Sequence, residues 1–173
     1  MFKIVNNRIY LNSGDTPTYD SEIIYRDGSP FRIGETINNP HIEFIVRASI
    51  YDKDDEYIFR YLFSAEPFIF DSETLEEYPY EEFDDMVPGD EGKLYRAGED
   101  NYAYWDGSIW VPYEARLVFN FDREDTKDLE PRKYYYQINL LGGSFDGSNF
   151  TNINYKKTLL DTSDFIVGGS LSE

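Results

Sequence analysis

The sequence predicts an all-β protein: an antiparallel β-sandwich of the immunoglobulin or jelly-roll kind with an inserted three-stranded aromatic β-meander. Short runs of aromatic and β-branched residues alternate with turn sequences at roughly 8–12 residue spacing, a pattern typical of sandwiches and barrels. Apolar residues do not recur at the spacing of an amphipathic helix over any stretch of about a dozen residues. The 16 tyrosines and 13 phenylalanines also argue against disorder, since disordered chains are poor in aromatic residues.

Turn sequences divide the chain into its predicted elements. Ser13-Gly14-Asp15, Asp27-Gly28 and Asn38-Asn39-Pro40 separate the early strands, and Gly142-Gly143 interrupts the late ones. Only two short helical turns are expected, near 72–77 and 126–129. The candidate strands are 3–5, 8–11, 18–26, 31–33, 41–51, 57–63, 68–70, 94–97, 102–105, 109–111, 115–121, 133–140, 155–160 and 165–167.

Alternation along two of these strands predicts which side chains face the core. In the strand at 133–140, Tyr134, Tyr136, Ile138 and Leu140 share one face, because successive side chains of a strand point to opposite sides. In the strand at 41–51, Phe44 and Val46 are expected inside, and Ile45 and Arg47 outside.

The charge is uneven along the chain. There are 34 acidic and 16 basic residues, for a net charge of −18, and residues 71–91 hold ten acidic residues and no basic one. We expect a solvated, mobile acidic loop at 71–92, between a sandwich domain formed by 1–70 plus 114–173 and an aromatic module at 93–113. A docking segment for a basic partner is the alternative for that loop.

Composition also excludes several classes of function. The negative charge argues against nucleic acid and anionic membranes as partners. With no cysteine and one histidine, a thiolate metal site and a cysteine nucleophile are excluded. The start of the chain lacks the features of a signal peptide and no apolar run is long enough to span a bilayer, so synthesis in a cytoplasm is expected.

The aromatic module is predicted from a turn signal. Asp106-Gly107 is typical of a two-residue hairpin turn, which would place Trp105 opposite Ser108 and Ala103 opposite Trp110. Alternation then separates the two tryptophans from Tyr102 and Tyr104. The module is expected to offer one aromatic face to a partner or a neighbouring subunit, or else to close a small core over its own loops.

A four-residue loop at 98–101 is expected to add the strand 94–97 to this hairpin. Tyr95 would then lie opposite Tyr104. Arg96 would stack on the face of the module that carries Trp105 and Trp110, which we call the tryptophan face. The predicted partner-binding residues are Tyr95, Tyr102, Tyr104, Trp105, Ile109 and Trp110.

Catalytic and metal sites are not expected. Asp122, Glu124 and Asp125 form the best carboxylate cluster for hydrolysis, but such clusters are ordinary in an acidic chain. The acidic turn at 52–56 lacks the EF-hand pattern for calcium. His41 is not expected to bind a metal, because the sequence offers no second histidine and no cysteine to complete a site. We therefore expect no enzyme activity, no cofactor and no metal. Host glycans, stacked on Trp105, Trp110 and Tyr104, are the alternative ligand.

Two resemblances refine this interpretation. The segment Tyr-x-Tyr-Trp-Asp-Gly-Ser-x-Trp at 102–110 resembles a short module of bacteriophage tail, baseplate and fibre proteins. Residues 8–167 are similar to the N-terminal domain of the upper baseplate proteins of phages that infect Gram-positive bacteria. That similarity rests on Gly-Asp-Thr at 14–16, Asp-Gly at 27–28, Val-Arg at 46–47, Asp-Thr with Leu129 at 125–129, and Tyr-x-Tyr-x-Ile-x-Leu at 134–140.

The resemblance implies a structural protein of the virion. The expected role is particle assembly, or that of an adaptor, in the baseplate or tail, with other virion proteins as partners and incorporation as a homo-oligomer. Head decoration or head-fibre attachment, and a carbohydrate-binding module, are the alternatives. The chain would be assembled into particles in the cytoplasm of the host bacterium.

Overall fold

The computed structural model describes residues 3–5, 7–25, 28–34, 37–53, 55–71, 76–77 and 84–168. The prediction of an all-β protein is confirmed. Within the described residues, the only α-helix is α1, the single turn Arg123–Thr126, and a 3₁₀ turn spans Glu66–Phe68. The strands are β1 (Lys3–Val5), β2 (Arg8–Asn12), β3 (Thr18–Glu22), β4 (His41–Arg47), β5 (Phe59–Ser64), β6 (Glu76–Glu77), β7 (Leu94–Arg96), β8 (Tyr102–Trp105), β9 (Trp110–Pro112), β10 (Arg116–Asn120), β11 (Arg132–Phe145) and β12 (Phe150–Gly168).

The described strands form three sheets. The largest has the order β1-β2-β12-β11-β4-β5, a second pairs β10 with β3, and a third has the order β6-β7-β8-β9. The pairs within the largest and third sheets are antiparallel, except that β2 runs parallel to β12 and β6 runs parallel to β7. The predicted three-stranded meander is present as β7, β8 and β9.

The chain divides into two compact units. The first contains residues 1–19, 37–64 and 118–173, and the second contains 20–36 and 65–117. The boundaries expected from the sequence, 70 and 114, assign 20–36 to the sandwich, whereas the contacts group this segment with the second unit. Strands β3 and β10 each cross from one unit into the other along the chain.

The core of the first unit is built around the ring of Phe44, which is fully buried. The predicted inward faces of β4 and β11 are confirmed, because Val46 and the four predicted residues of β11 are also buried. Ile45 differs from its prediction: it is buried as well, so both faces of β4 are covered. The rings within 6 Å of Phe44 are those of Tyr19, Phe119, Phe121 and Tyr136.

The face of β4 that carries Ile45 also holds a buried polar group. Glu43 is 4% exposed and accepts hydrogen bonds from Arg60 Nη1 at 3.1 Å and from Asn139 Nδ2 at 2.9 Å. Asn139 is fully buried, and its Oδ1 atom has no hydrogen-bond partner among the described residues. The carboxylate is therefore paired, as a buried charge must be to be tolerated.

Strands β11 and β12 form one long hairpin, and this corrects the sequence-based elements. Gly142-Gly143, predicted as a turn, lies inside β11, and the separate strands predicted at 155–160 and 165–167 belong to one strand. The ladder shifts register between Gly142 and Gly143. Gly143 has φ +151°, and an added Cβ would lie 2.0 Å from the carbonyl oxygen of Asn152, so this site accepts no side chain without rearrangement.

The single helical turn starts earlier than predicted. The cap is Asp122, whose side chain accepts a hydrogen bond from the Glu124 amide at 2.9 Å. The other predicted helical turn, at 72–77, lies outside the described residues except for the two-residue strand β6.

Candidate functional site

The aromatic hairpin of β8 and β9 has a longer turn than its sequence predicts. Trp105 pairs with Trp110 and Tyr104 with Val111, so the connection is four residues long rather than two. The Asp106 Oδ1 atom accepts hydrogen bonds from the amides of Ser108 and Ile109, both at 2.8 Å, which stabilises the wider loop. The observed register of β8 and β9 differs from the predicted one by two residues. Because side chains alternate with a period of two, each residue of these strands stays on its predicted face.

Strand β7 is displaced by one residue from its predicted register. Leu94 pairs with Tyr104, and Tyr95 pairs with Ala103. A slip of one residue exchanges the two faces of a strand, so Tyr95 joins the tryptophans. Its ring lies edge-on to the ring of Trp110, with centroids 5.0 Å apart.

The same slip removes Arg96 from the tryptophan face, so the predicted stacking of Arg96 on indole is wrong. Arg96 pairs with Tyr102, and its guanidinium donates to the carbonyl oxygens of Gly98 and Glu99. The physical reason is the loop, which spans five residues and is closed by the Ala97 amide donating to the Asn101 carbonyl at 2.8 Å.

The chain itself covers the tryptophan face. Trp110 Nε1 donates to the Val87 carbonyl oxygen at 2.9 Å, and the Asp90 amide donates to the Tyr95 hydroxyl at 2.9 Å. Gly89 lies between Val87 and Asp90 in the sequence, and an added Cβ at Gly89 would come within 2.4 Å of the Trp110 ring. This end of the predicted acidic loop is therefore packed on the hairpin, while residues 72–75 and 78–83 of that loop lie outside the described residues.

The opposite face packs on other parts of the second unit. Tyr104 lies edge-on to Phe70 at 5.9 Å, and Phe70 lies edge-on to Tyr113 at 5.1 Å. The Tyr113 hydroxyl donates to the Phe31 carbonyl oxygen at 2.6 Å, and burial raises the pKa of this phenol. Both faces of the meander thus contact the unit's own chain, as in the alternative of a small local core.

The structure places the six predicted partner-binding residues in four different surroundings. Tyr95, Trp105 and Trp110 share the tryptophan face, and Tyr104 lies on the opposite face. Tyr102 is half-buried beside a cleft, and Ile109 is 61% exposed in the turn.

That cleft, also within the second unit, has a volume of about 510 Å³. Its lining comes from three separate segments, and no local sequence pattern connects them. The cleft is therefore not predictable from the sequence alone. Three carboxylates line it, and the lining residues are Glu22, Ile24, Gly28, Pro30, Ala97, Asp100, Asn101, Tyr102, Ala103, Pro112, Tyr113 and Glu114.

The tip of the β11–β12 hairpin repeats the tip of the β8–β9 hairpin. Phe145 and Phe150 flank Asp146-Gly147-Ser148-Asn149 just as two tryptophans flank the first loop, and Asp146 Oδ1 accepts from the amides of Ser148 and Asn149 at 2.8 Å. These backbone hydrogen bonds lower the pKa of Asp146, as their counterparts lower that of Asp106. The repeated aromatic–Asp-Gly-Ser–x–aromatic pattern was the available signal, and the sequence analysis did not use it.

The carboxylates weighed for catalysis have structural contacts. Asp122 caps helix α1, and Asp125 accepts a hydrogen bond from the Tyr61 hydroxyl at 2.8 Å. Burial is the main cause of the raised pKa of Tyr61. In the acidic turn at 52–56, Asp52 accepts from the Ser49 amide, and Asp54 lies outside the described residues.

Within the residues that the structure covers, no three histidine, aspartate or glutamate side chains are grouped as a metal ion would require. None of the helices found there has the length and apolar character needed to cross a membrane. Comparison with protein-family models, curated proteins and solved structures finds no match to this chain.

Proposed function

We propose that this chain is a non-enzymatic structural protein of a bacteriophage particle, acting in assembly or as an adaptor in the baseplate or tail. The proposal starts from the two sequence resemblances described above. The structural observation that supports it is the outer edge of β12, which offers a long strand for pairing with another chain.

Strand β12 is paired unequally on its two sides. It pairs with β11 from Phe150 to Val167, but with β2 only over Phe165–Gly168. Over 150–154 and 158–164, no strand of the described ranges pairs with its other side, and Ile153 is 45% exposed there. Edge strands recruit strands of other chains through their backbone N–H and C=O groups.

This edge suits assembly with a neighbouring virion protein or with a second copy of the chain. Two copies of one edge strand can pair antiparallel about a two-fold axis, which gives a closed, self-complementary contact. Incorporation as a homo-oligomer, with strand addition as its basis, is the form of assembly that we propose.

Complementation of a phage that lacks the gene tests the proposal. We expect the wild-type chain to restore particles and to be present in them in a fixed copy number, measured by quantitative mass spectrometry and electron microscopy. Ile153→Lys should reduce incorporation, because it replaces an exposed apolar side chain of this edge by a third lysine beside Lys156 and Lys157. The control is Val118→Lys, at a residue of β10 that is 54% exposed, and it should be incorporated normally.

Two results would contradict the proposal. One is absence of the chain from purified particles, and the other is a normal yield and composition of particles made without it. If the chain is incorporated but Ile153→Lys and Val118→Lys behave alike, the protein is a virion component whose β12 edge has no part in assembly.

A further inference from the structure

The cleft of the second unit is bounded by three segments of chain. One wall consists of Glu22, Ile24 and Pro30, and an isolated β-bridge between Ile24 and Pro30 fixes this wall. The other wall is the loop 97–101 and the start of β8. Pro112, Tyr113 and Glu114 form the third side, where the Tyr113 amide donates to the Tyr102 carbonyl oxygen at 2.8 Å. The backbone of the cleft is therefore held in place from all three sides.

The lining combines apolar surface with carboxylates. Ile24 is 55% exposed, and Tyr102, Tyr113 and two prolines also line the cleft. A volume of about 510 Å³ lies within the range of pockets that hold small ligands or a few residues of a peptide.

Among the described residues, the charged side chains that line the cleft are all acidic. They are those of Glu22, Asp100 and Glu114. The Glu114 carboxylate lies 3.5 Å from the Arg116 guanidinium. The same guanidinium also pairs with the Asp20 carboxylate at 2.8 Å. Glu22 and Asp100 take part in no ion pair within 4.0 Å in the described part of the chain, although Glu22 is attracted electrostatically to Arg116 at longer range. In a chain of net charge −18, a concave acidic surface concentrates the attraction for cations.

We propose that this cleft binds a lysine or arginine side chain presented by an extended segment of a protein partner. Such side chains join an aliphatic stem, which suits Ile24 and the Tyr102 ring, to a cationic head, which suits Glu22 and Asp100. The cleft is wider than one side chain needs, so flanking residues of the segment also fit. This inference does not depend on the proposed role in a phage particle.

A neutral sugar fits the cleft less well. Sugar sites present an open aromatic face, whereas Tyr113 is buried and its hydroxyl is engaged with the Phe31 carbonyl oxygen. A sugar would also leave the two carboxylates without a countercharge. A cationic group satisfies both the shape and the charge of the lining.

A titration of the isotopically labelled full chain followed by NMR tests the proposal. The probe is the capped tripeptide Ala-Arg-Ala, and its neutral counterpart carries citrulline in place of arginine. We expect saturable shifts of the backbone amides of Ala97, Asn101 and Ala103 with the arginine peptide, and binding at least fivefold weaker with citrulline. Glu22→Gln combined with Asp100→Asn should weaken binding of the arginine peptide at least fivefold.

The control is Asp128→Asn combined with Glu130→Gln, which changes the net charge equally at two exposed residues of the first unit. It should leave the affinity within twofold of the wild type, and the amide spectra of both double variants report whether they are folded. Shifts spread over the whole acidic surface, equal binding of the citrulline peptide, equal effects of the two double variants, or tighter binding of maltose at the same amides would each overturn the proposal. So would the absence of any shift with the arginine peptide.

Discussion

The indole nitrogen of Trp110 donates a hydrogen bond of 2.9 Å to the carbonyl oxygen of Val87. This contact joins the aromatic hairpin to the end of the acidic segment that precedes it. The sequence analysis assigns Trp110 to a partner, but in the structure part of its ring and its only polar group contact this chain. Partner binding through the tryptophan face would require the segment at 87–90 to move.

Replacing Trp110 with phenylalanine tests this contact. The Trp110→Phe variant keeps an aromatic ring against Tyr95 but loses the N–H donor. Because Val87 is half exposed and water can replace the donor, we expect a loss of only about 0.5–1 kcal/mol in the free energy of unfolding. Urea unfolding followed by far-ultraviolet circular dichroism measures it. In Trp110→Ala the loss should rise to roughly 3 kcal/mol, since ring burial is lost as well.

Adding a methyl group at Gly89 tests the packing of the segment 87–90 on the Trp110 ring. An added Cβ would lie 2.4 Å from the Trp110 ring, so Gly89→Ala must displace either the ring or the segment. We expect a loss of about 1–3 kcal/mol and a red shift of tryptophan emission as the indole becomes exposed. Gly98→Ala is the control, because its Cβ would meet only the Asn101 side chain at 3.2 Å. Equal stability of Gly89→Ala and the wild type would show that the segment does not cover the ring in solution.

The buried ion pair predicts an asymmetric double-mutant cycle. Arg60→Met removes the cation that faces Glu43 and leaves a buried carboxylate, which costs about 3–5 kcal/mol of stability. Adding Glu43→Gln to that variant should restore part of the loss, because the uncompensated charge is gone. Urea unfolding of the wild type, both single variants and the double variant measures the coupling. Strictly additive losses would argue against a direct pairing of Glu43 with Arg60.

Buried and half-buried tyrosines predict a loss of stability at high pH. Burial is the main cause of the raised pKa of Tyr61, Tyr113 and Tyr136 in the folded protein. The unfolded chain ionises near pH 10, so the stability that comes from keeping these phenols protonated is complete below pH 10 and is lost above it. Each of them steepens the decline by up to about 1.4 kcal/mol per pH unit.

Phenylalanine variants separate this effect from the general charge of the chain. Tyr113→Phe should lower stability near neutral pH, because the hydrogen bond to Phe31 is lost, and should also make the alkaline decline less steep. The control is Tyr51→Phe, at a side chain that is 88% exposed, and it should change neither quantity. Free energies of unfolding between pH 8 and pH 11 provide the measurement. An unchanged slope in Tyr113→Phe would mean that this hydroxyl reaches water in the folded state.

Sequence patterns predicted those features of the strands that depend on the residues of one strand alone. Alternation around Phe44 and along Tyr134–Leu140 identified one buried face of each strand correctly, but it did not predict that the face with Ile45 is buried as well. Register was harder to predict. The Asp106-Gly107 signal indicated a two-residue turn, while the side chain of Asp106 stabilises a four-residue loop through two backbone amides.

The candidate sites were less predictable because they depend on residues distant in sequence. Nothing local indicates that Gly89 packs on Trp110, or that the segment 20–36 belongs with 65–117. The cleft that contains Glu22 and Asp100 forms only when three separate segments meet. The register of β7 against β8 likewise depends on the loop between them. Its difference of one residue from the predicted register places Tyr95 on the tryptophan face.

The parallel pairing of β2 with β12 constrains the order of events during synthesis. Ile9 lies opposite Phe165, more than 150 residues later in the chain. At elongation rates of about 5–20 residues per second, the early strand waits roughly 8–30 seconds on the ribosome before its partner exists. The six-stranded sheet is therefore completed only after translation of residue 168, and until then the β1–β2 hairpin has an open edge available to chaperones or to neighbouring nascent chains.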